Sequence, residues 1–217
     1  MAQPQVSLAL DEFTERTERR DAYAEFWTVS QYLEFQRESE SKHEYVDGEI
    51  YAMAGGSKNH NRIAGDFAAL LNTKLPADGK CEAFVGDVLL EVRSTLFYYP
   101  DVFVTCDKAD DEDEYIARNP VLVTEVLSKS TKRIDRKEKM GEYKKLSNLR
   151  ECLLIHQDRI AIEHYYRDAS DAEWEQRLHT NLQDEITFAS IGVTVKAAEI
   201  YRRVFAAPPE KKEAESE

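Results

Sequence analysis

Hydrophobic and polar positions along this chain follow two different periods, and the switches between them mark the elements. Ile63, Phe67, Leu70, Leu71 and Leu75 recur at the spacing of one helix face, so a helix is predicted over 58–75, stopped by Pro76. A shorter helix is predicted from Thr28, where Thr28 and Gln31 fit a capping box and Tyr32, Leu33 and Phe35 form an apolar side. Between the two helices, residues 43–53 read as a pair of β-rich runs around Asp47-Gly48. That dipeptide suits a type I′ hairpin turn, whose central residues both need positive φ. Gly55-Gly56 closes the unit.

The middle of the chain switches to strand patterning, with runs at 82–84, 88–92, 97–106 and 121–127. The acidic stretch 107–114 between the last two lacks the alternating ligand order and the glycine of an EF-hand, and reads as a solvated loop. A polar helix over 132–146, capped by Ser128 or Ser130, comes next. Strands follow at 151–156 and 159–166, with possible extensions at 174–179 and 186–189, and a final helix at 197–204. The first 26 residues read as a partly ordered arm. The tail 206–217, with Pro208-Pro209 and then charged and small residues, has nothing to bury and reads as disordered. Mixed helices and strands without a linker give one α/β domain over 27–205.

Composition narrows the class. Of 217 residues, 42% are hydrophobic and 33% charged, as in a soluble globular protein. No apolar run is long enough to span a bilayer, and the N-terminus shows no signal-peptide pattern. Three cysteines, Cys81, Cys106 and Cys152, sit in apolar surroundings with no zinc spacing, so free buried thiols and a cytoplasmic location are expected. The net charge of -13 argues against a protein that coats nucleic acid. It leaves room for an enzyme that meets nucleic acid through a local basic groove or an acid-bound divalent metal.

The candidate chemistry lies where acids interrupt the strand patterning. Asp101, behind Pro100, shares a face with Phe103 and Thr105; Glu125 shares one with Val121 and Val123. An unpaired carboxylate in such a place costs several kcal/mol, so each acid needs a partner. An internal salt bridge is one solution. A shared divalent cation is the other, and the basic helix that begins just after Glu125 favours it. Asp135, Lys139 and Tyr143 fall at steps of four and so share a helix face. If that face looks at the sheet, Lys139 reaches the acids; if not, Asp135 and Lys139 form an ordinary surface pair. Lys129, Lys132 and Lys137 are rivals for the same role. Glu44 in the first hairpin arm and His60 at the start of the long helix are possible additions. Asp87 reads as a turn residue, and His43, His156, His164 and His179 show no metal spacing.

Taken together, residues 43–50 (His-Glu-Tyr-Val-Asp-Gly-Glu-Ile), His60, Tyr99-Pro100-Asp101-Val102, the run 120–128 around Glu125, and Asp135 with Lys139 and Tyr143 resemble the Uma-type restriction endonuclease family of the PD-(D/E)XK nuclease superfamily. The likeness covers about 28–200. It implies a restriction-endonuclease-like mixed β-sheet flanked by helices, with an N-terminal hairpin and helix. It further implies a metal-dependent endonuclease hydrolysing DNA phosphodiester bonds with Mg2+ (or Mn2+), working as a homodimer. Asp101 and Glu125 would be the metal-binding acids, Glu44 would complete the site, Lys139 would assist the attacking water, and His60, Asp135 and Tyr143 would support them. The superfamily's lysine stands two residues after the second acid, where this chain has Leu127; the resemblance implies its transfer to Lys139. A catalytically inactive binding or oligomerisation module of the same fold, and a metal-dependent hydrolase of a small phosphorylated substrate, are the alternative readings.

Overall fold

The computed structural model describes residues 26–77, 79–128 and 135–205. Apart from Phe26, the expected N-terminal arm lies outside the described residues, and so does the tail 206–217. The first helix, α1 (Val29–Glu38), opens on the expected capping box: Thr28 Oγ1 accepts from Gln31 N, and Gln31 Oε1 accepts from Thr28 N. Strands β1 (His43–Val46) and β2 (Glu49–Ala52) form the expected hairpin, with φ of 49° at Asp47 and 98° at Gly48. The φ of 98° favours glycine at this position, and the exposed Phe26 ring lies over it. The long helix α2 (Lys58–Lys74) buries Ile63, Phe67 and Leu71 completely, as its apolar spacing predicts.

Strands β3 (Glu82–Val85), β4 (Leu89–Arg93), β5 (Leu96–Tyr98), β6 (Val102–Thr105), β7 (Ile116–Ala117) and β8 (Pro120–Leu127) carry the middle of the chain. The run 97–106, expected as one strand, is two strands in different sheets. Pro100 has no N–H and a fixed φ, so the ladder breaks around it and the chain crosses from sheet to sheet there. After β8 come a π-helical turn (Asp135–Lys139) and a single α-turn, α3 (Met140–Tyr143), where a regular helix over 132–146 was expected. Its expected start at 132–134 lies outside the described residues. Strands β9 (Glu151–His156), β10 (Ile162–Tyr166), β11 (Glu175–His179), β12 (Glu185–Phe188) and β13 (Val193–Lys196) follow, then α4 (Ala197–Ile200), shorter than the expected 197–204. Strands β7 and β13 go beyond the expected set.

The sheets run β2-β1-β5-β4-β7, β11-β10-β9-β8-β6-β3 and β12-β13. In the six-stranded sheet only β8 and β9 are parallel, joined by the crossover that carries the π turn and α3. One core lies between the two large sheets: Leu90, Leu96 and Tyr98 from one meet Phe103, Val123, Leu127 and Leu154 from the other, with Met140 and Tyr143 at their side. Helices α2 and α4 and the β12-β13 hairpin cover the outer face of the six-stranded sheet. Helix α1 covers the outer face of the five-stranded one.

Two expectations need correcting here. Cys81 and Cys106 are not free thiols but a disulfide that joins the ends of the paired strands β3 and β6; Cys152 alone is free and buried. The pairing was invisible in a sequence separation of 25, because only the antiparallel register of β3 and β6 brings the two residues opposite each other. The acidic stretch is not wholly solvated either. It forms a 3-10 turn (Lys108–Glu112) that buries Asp110. That carboxylate accepts from Thr105 Oγ1 at 2.6 Å, Arg118 N at 2.8 Å and Asn119 N at 3.1 Å, and so ties β6 to the start of β8. Asp110→Ala leaves these donors without an acceptor and is expected to cost about 2–4 kcal/mol in urea denaturation.

A second buried acid closes the C-terminal end onto α2. Asp66 is 3% exposed and meets Arg202 at 2.8 Å and Arg203 at 2.7 Å. Burial pushes its pKa up, but the hydrogen bonds and charges of the two arginines outweigh burial and hold the carboxyl below its ordinary range. A depressed folded-state pKa contributes stability that is present above the unfolded value, near ~3.9, and is lost as pH falls through the folded value. Asp66→Asn should therefore lower stability at pH 7 and narrow the difference between pH 7 and pH 3. An unchanged acid limb in denaturation curves would show that the arginines contribute nothing.

Candidate active site

The site is assembled beside the core between the two large sheets, where the turn that follows β8 packs. Glu44 is the second residue of β1, and its neighbours place it inside. Tyr45 packs towards α1 with Phe97, whereas Val46 packs into the inter-sheet core, so Glu44 shares the inward face with Val46. The β1–β5 register pairs Tyr45 with Phe97 and so brings Glu44 alongside Tyr98. Its Oε1 accepts from Tyr99 N at 3.3 Å.

Asp101 sits in the break between β5 and β6, one step before the Val102–Thr124 pair, which places it across from Glu125. The break lets its side chain turn onto the neighbouring strand, where Oδ2 accepts from Val126 N at 2.7 Å. His60, in the first turn of α2, brings Nε2 to 3.1 Å from the same oxygen. Glu125 lies in the middle of a buried strand and is 3% exposed. It shares its face with Val123 and Leu127, both in the inter-sheet core; Val121, expected on the same face, packs against the outer core instead, next to the register shift between β6 and β8.

Lys139 answers the question left open by the sequence: its face looks inward. It is 6% exposed, and Nζ donates to Glu44 Oε1 at 2.6 Å and lies 3.3 Å from Glu125 Oε1. The ammonium also stands 5.1 Å from the centre of the Tyr98 ring, whose face attracts a cation. Tyr143, fully buried, donates to Glu125 Oε1 at 2.7 Å. Burial first, then the charges of Glu125 and Glu44, hold its pKa well above the ordinary value, so it remains a phenol and a donor. Met140 and Leu146 pack against the same core. Asp135 opens the π turn, but its side chain lies outside the described residues, as do Lys129 and Lys132. Lys137 is exposed, and Asp87 is the expected turn residue, with Asp87 N donating to Val85 O beside Gly86 at φ 59°.

Several contributors were not anticipated. Lys42 donates to Gly86 O and Asp87 Oδ1 and stands 5.9 Å from the centre of the Tyr99 ring, at the edge of the site. Tyr98 walls the lysine. Gly56, Ser57 and Gln157 surround His60 and the end of β8. Their only sequence signal was proximity to a motif for Lys42, Tyr98, Gly56 and Ser57, and there was none for Gln157.

The donor set suits a hard divalent cation. Magnesium takes oxygen ligands and needs only one or two carboxylates, with waters and phosphate oxygens completing its shell. Asp101, from the break before β6, and Glu125, from the neighbouring strand β8, supply two carboxylates, and Asp101 takes its two contacts on Oδ2 alone. Among the described residues, no three His, Cys, Asp or Glu side chains form an all-protein metal cage. An ion here would rest on two acids and on solvent or substrate.

The mixed six-stranded sheet with its flanking helices has a nuclease fold. A crystal structure titled as a putative nuclease belonging to DUF820, from Anabaena variabilis ATCC 29413, matches with a TM-score of 0.68 at 16% identity, covering 82% of this chain and 99% of that one. The Uma2 family, described as "Putative restriction endonuclease", matches residues 29–196, and the chain belongs to this family. Two proteins of Synechocystis sp. (strain ATCC 27184 / PCC 6803 / Kazusa) are similar. "Uncharacterized protein slr1290" is 36% identical over 173 residues, covering 79% of this chain and 90% of the relative. "Uncharacterized protein sll1609" is 34% identical over 169 residues, covering 76% and 94%. No helix among the described residues is long and apolar enough to cross a membrane.

Proposed function

We propose that this chain is a metal-dependent endonuclease that hydrolyses phosphodiester bonds of DNA. The observation that carries the reading is the gathering of Glu44, Glu125 and Lys139 from distant segments, with Asp101 across from Glu125. A buried lysine between two buried acids is costly to assemble for stability alone. In this reading Asp101 and Glu125 would hold Mg2+ (or Mn2+), and Glu44 would complete the site. Held there, the ion would supply positive charge to a phosphoryl oxygen and would make a bound water more acidic. Lys139 donates to the attacking water and to the charge that develops on the phosphoryl group. Tyr143 fixes the Glu125 carboxylate, and His60 does the same for Asp101. In this reading Lys139, from the crossover after β8, takes the role of the lysine absent at Leu127.

The net charge of -13 repels DNA over most of the surface, so the ion and the few local cations carry the attraction. The same charge favours a second reading, hydrolysis of a small phosphorylated substrate. The two separate in one assay: supercoiled plasmid and p-nitrophenyl phosphate are offered to the same preparation with Mg2+ or Mn2+. EDTA is expected to abolish plasmid nicking, and added Mg2+ or Mn2+ to restore it. Nicking that survives EDTA would remove the metal from the reading. Turnover of p-nitrophenyl phosphate without nicking would favour the second. An absence of both would leave the inactive binding module of the same fold. The nuclease reading also carries a cytoplasmic location and a homodimer able to cut two strands; light scattering on the purified chain tests the dimer.

A further inference from the structure

The start of α2 is tied to the end of β8 by a side chain that belongs to neither. Ser57, the N-cap of α2, accepts from His60 N at 3.1 Å and shares a hydrogen bond with Gln157 Oε1. Gln157 Nε2 in turn donates to Leu127 O at 3.1 Å. Gln157 follows β9 directly, and the parallel pairing of His156 with Leu127 delivers it to that spot. The bridge therefore ends on the strand that carries Glu125 and on the helical turn that carries His60.

His60 itself has little room. A Cβ on Gly56 would lie 2.8 Å from His60 Nδ1, so the ring is seated against a residue that must lack a side chain. On its other side Nε2 stands 3.1 Å from Asp101 Oδ2, the oxygen that also accepts from Val126 N. Asp101 is thus oriented by two contacts on one oxygen, which leaves Oδ1 as the oxygen for a cation. One of these contacts comes from its own sheet. The other depends on where α2 begins.

We infer that Gln157 is a positioning residue: by bridging Ser57 and Leu127 it holds the first turn of α2 against β8, so that His60, seated on Gly56, orients the Asp101 carboxylate. This rests on the nuclease reading above. The residue touches neither substrate nor ion and acts through His60. Partners of this outer kind typically change metal affinity or activity about 10–100-fold when lost. Gln157→Glu keeps the acceptor for Ser57 and removes the donor to Leu127, so it separates the two halves of the bridge.

The test is a double-mutant cycle with two readouts: kcat for plasmid nicking, and Mn2+ affinity by calorimetry without DNA. Gln157→Ala is expected to lower kcat and Mn2+ affinity by about tenfold while changing KM for DNA little. In a His60→Ala background the same substitution should cause no further loss. Gly56→Ala, whose Cβ would crowd His60 Nδ1, should reproduce the defect. Additive losses in the His60→Ala background, or a Gln157→Ala protein equal to wild type in both readouts, would overturn the positioning role and leave the nuclease reading intact. A wild-type protein with no Asp101-dependent nicking would overturn the nuclease reading, and the catalytic half of this inference with it. The Mn2+ cycle would then decide whether Gln157 positions Asp101 at all.

Discussion

Asp101→Asn and Glu125→Gln should each reduce metal-dependent nicking by at least about 10³-fold, a loss of roughly 4 kcal/mol of transition-state stabilisation. Both substitutions keep the shape of the side chain. Asn at 101 still offers an oxygen to Val126 N, and Gln at 125 still offers one to the Tyr143 hydroxyl, so the local hydrogen bonds survive. What each removes is the negative charge that an ion needs. The effect should appear in kcat, with little change in melting temperature for Asp101→Asn, because that carboxylate lies at a strand break near solvent. If both variants nick plasmid as fast as wild type, the activity comes from a contaminant and the nuclease reading must be abandoned. A loss in Glu125→Gln alone would move the ion towards Glu44 and Glu125.

Lys139→Met should be the most destabilising single change in the site, costing about 3–5 kcal/mol in urea denaturation as well as activity. Surface ion pairs are worth about 0–1 kcal/mol, because water already solvates both partners. Here Glu44, Glu125 and Lys139 are all nearly sealed from solvent. Removing the ammonium leaves two carboxylates facing the same space, with the Tyr98 ring unable to replace it. Methionine fills most of the volume, so the loss measures charge rather than a cavity. Adding Glu44→Gln to Lys139→Met removes one of the uncompensated charges and should recover part of the stability. A Lys139→Met protein as stable as wild type would mean that the lysine does not pair with the two acids in solution.

Much of this site was legible as a set of positions. Asp101 and Glu125 stood out because charged residues interrupted apolar strand runs, and Lys139 and Tyr143 because steps of four put them on one helix face. Alternation placed Glu125 on the inward face, and the sheet agrees. Partners were not legible. Neither the pairing of Glu44 with Lys139, 95 residues apart, nor the link between Ser57 and Gln157, 100 apart, has a local period behind it. The acidic stretch misled for the same reason. Its charge said solvent, but backbone donors at Arg118 and Asn119 made burial of Asp110 favourable.

By itself the sequence determined what depends on short-range stereochemistry. The capping box at Thr28, the positive-φ turn at Asp47-Gly48 and the apolar stripe of α2 each follow from residues a few positions apart, because rotamers, dihedrals and helical or strand periods act over that range. The tertiary structure alone decided which charges meet. The chain changes sheets at Pro100, β8 and β9 align in parallel, and β3 and β6 set Cys81 against Cys106. These contacts come from how whole sheets pack and register, a property of surfaces rather than of neighbours in sequence. Lys139 stands between Glu44 and Glu125 because the described part of the crossover packs beside the inter-sheet core, where β1 of one sheet and β8 of the other each present an acid.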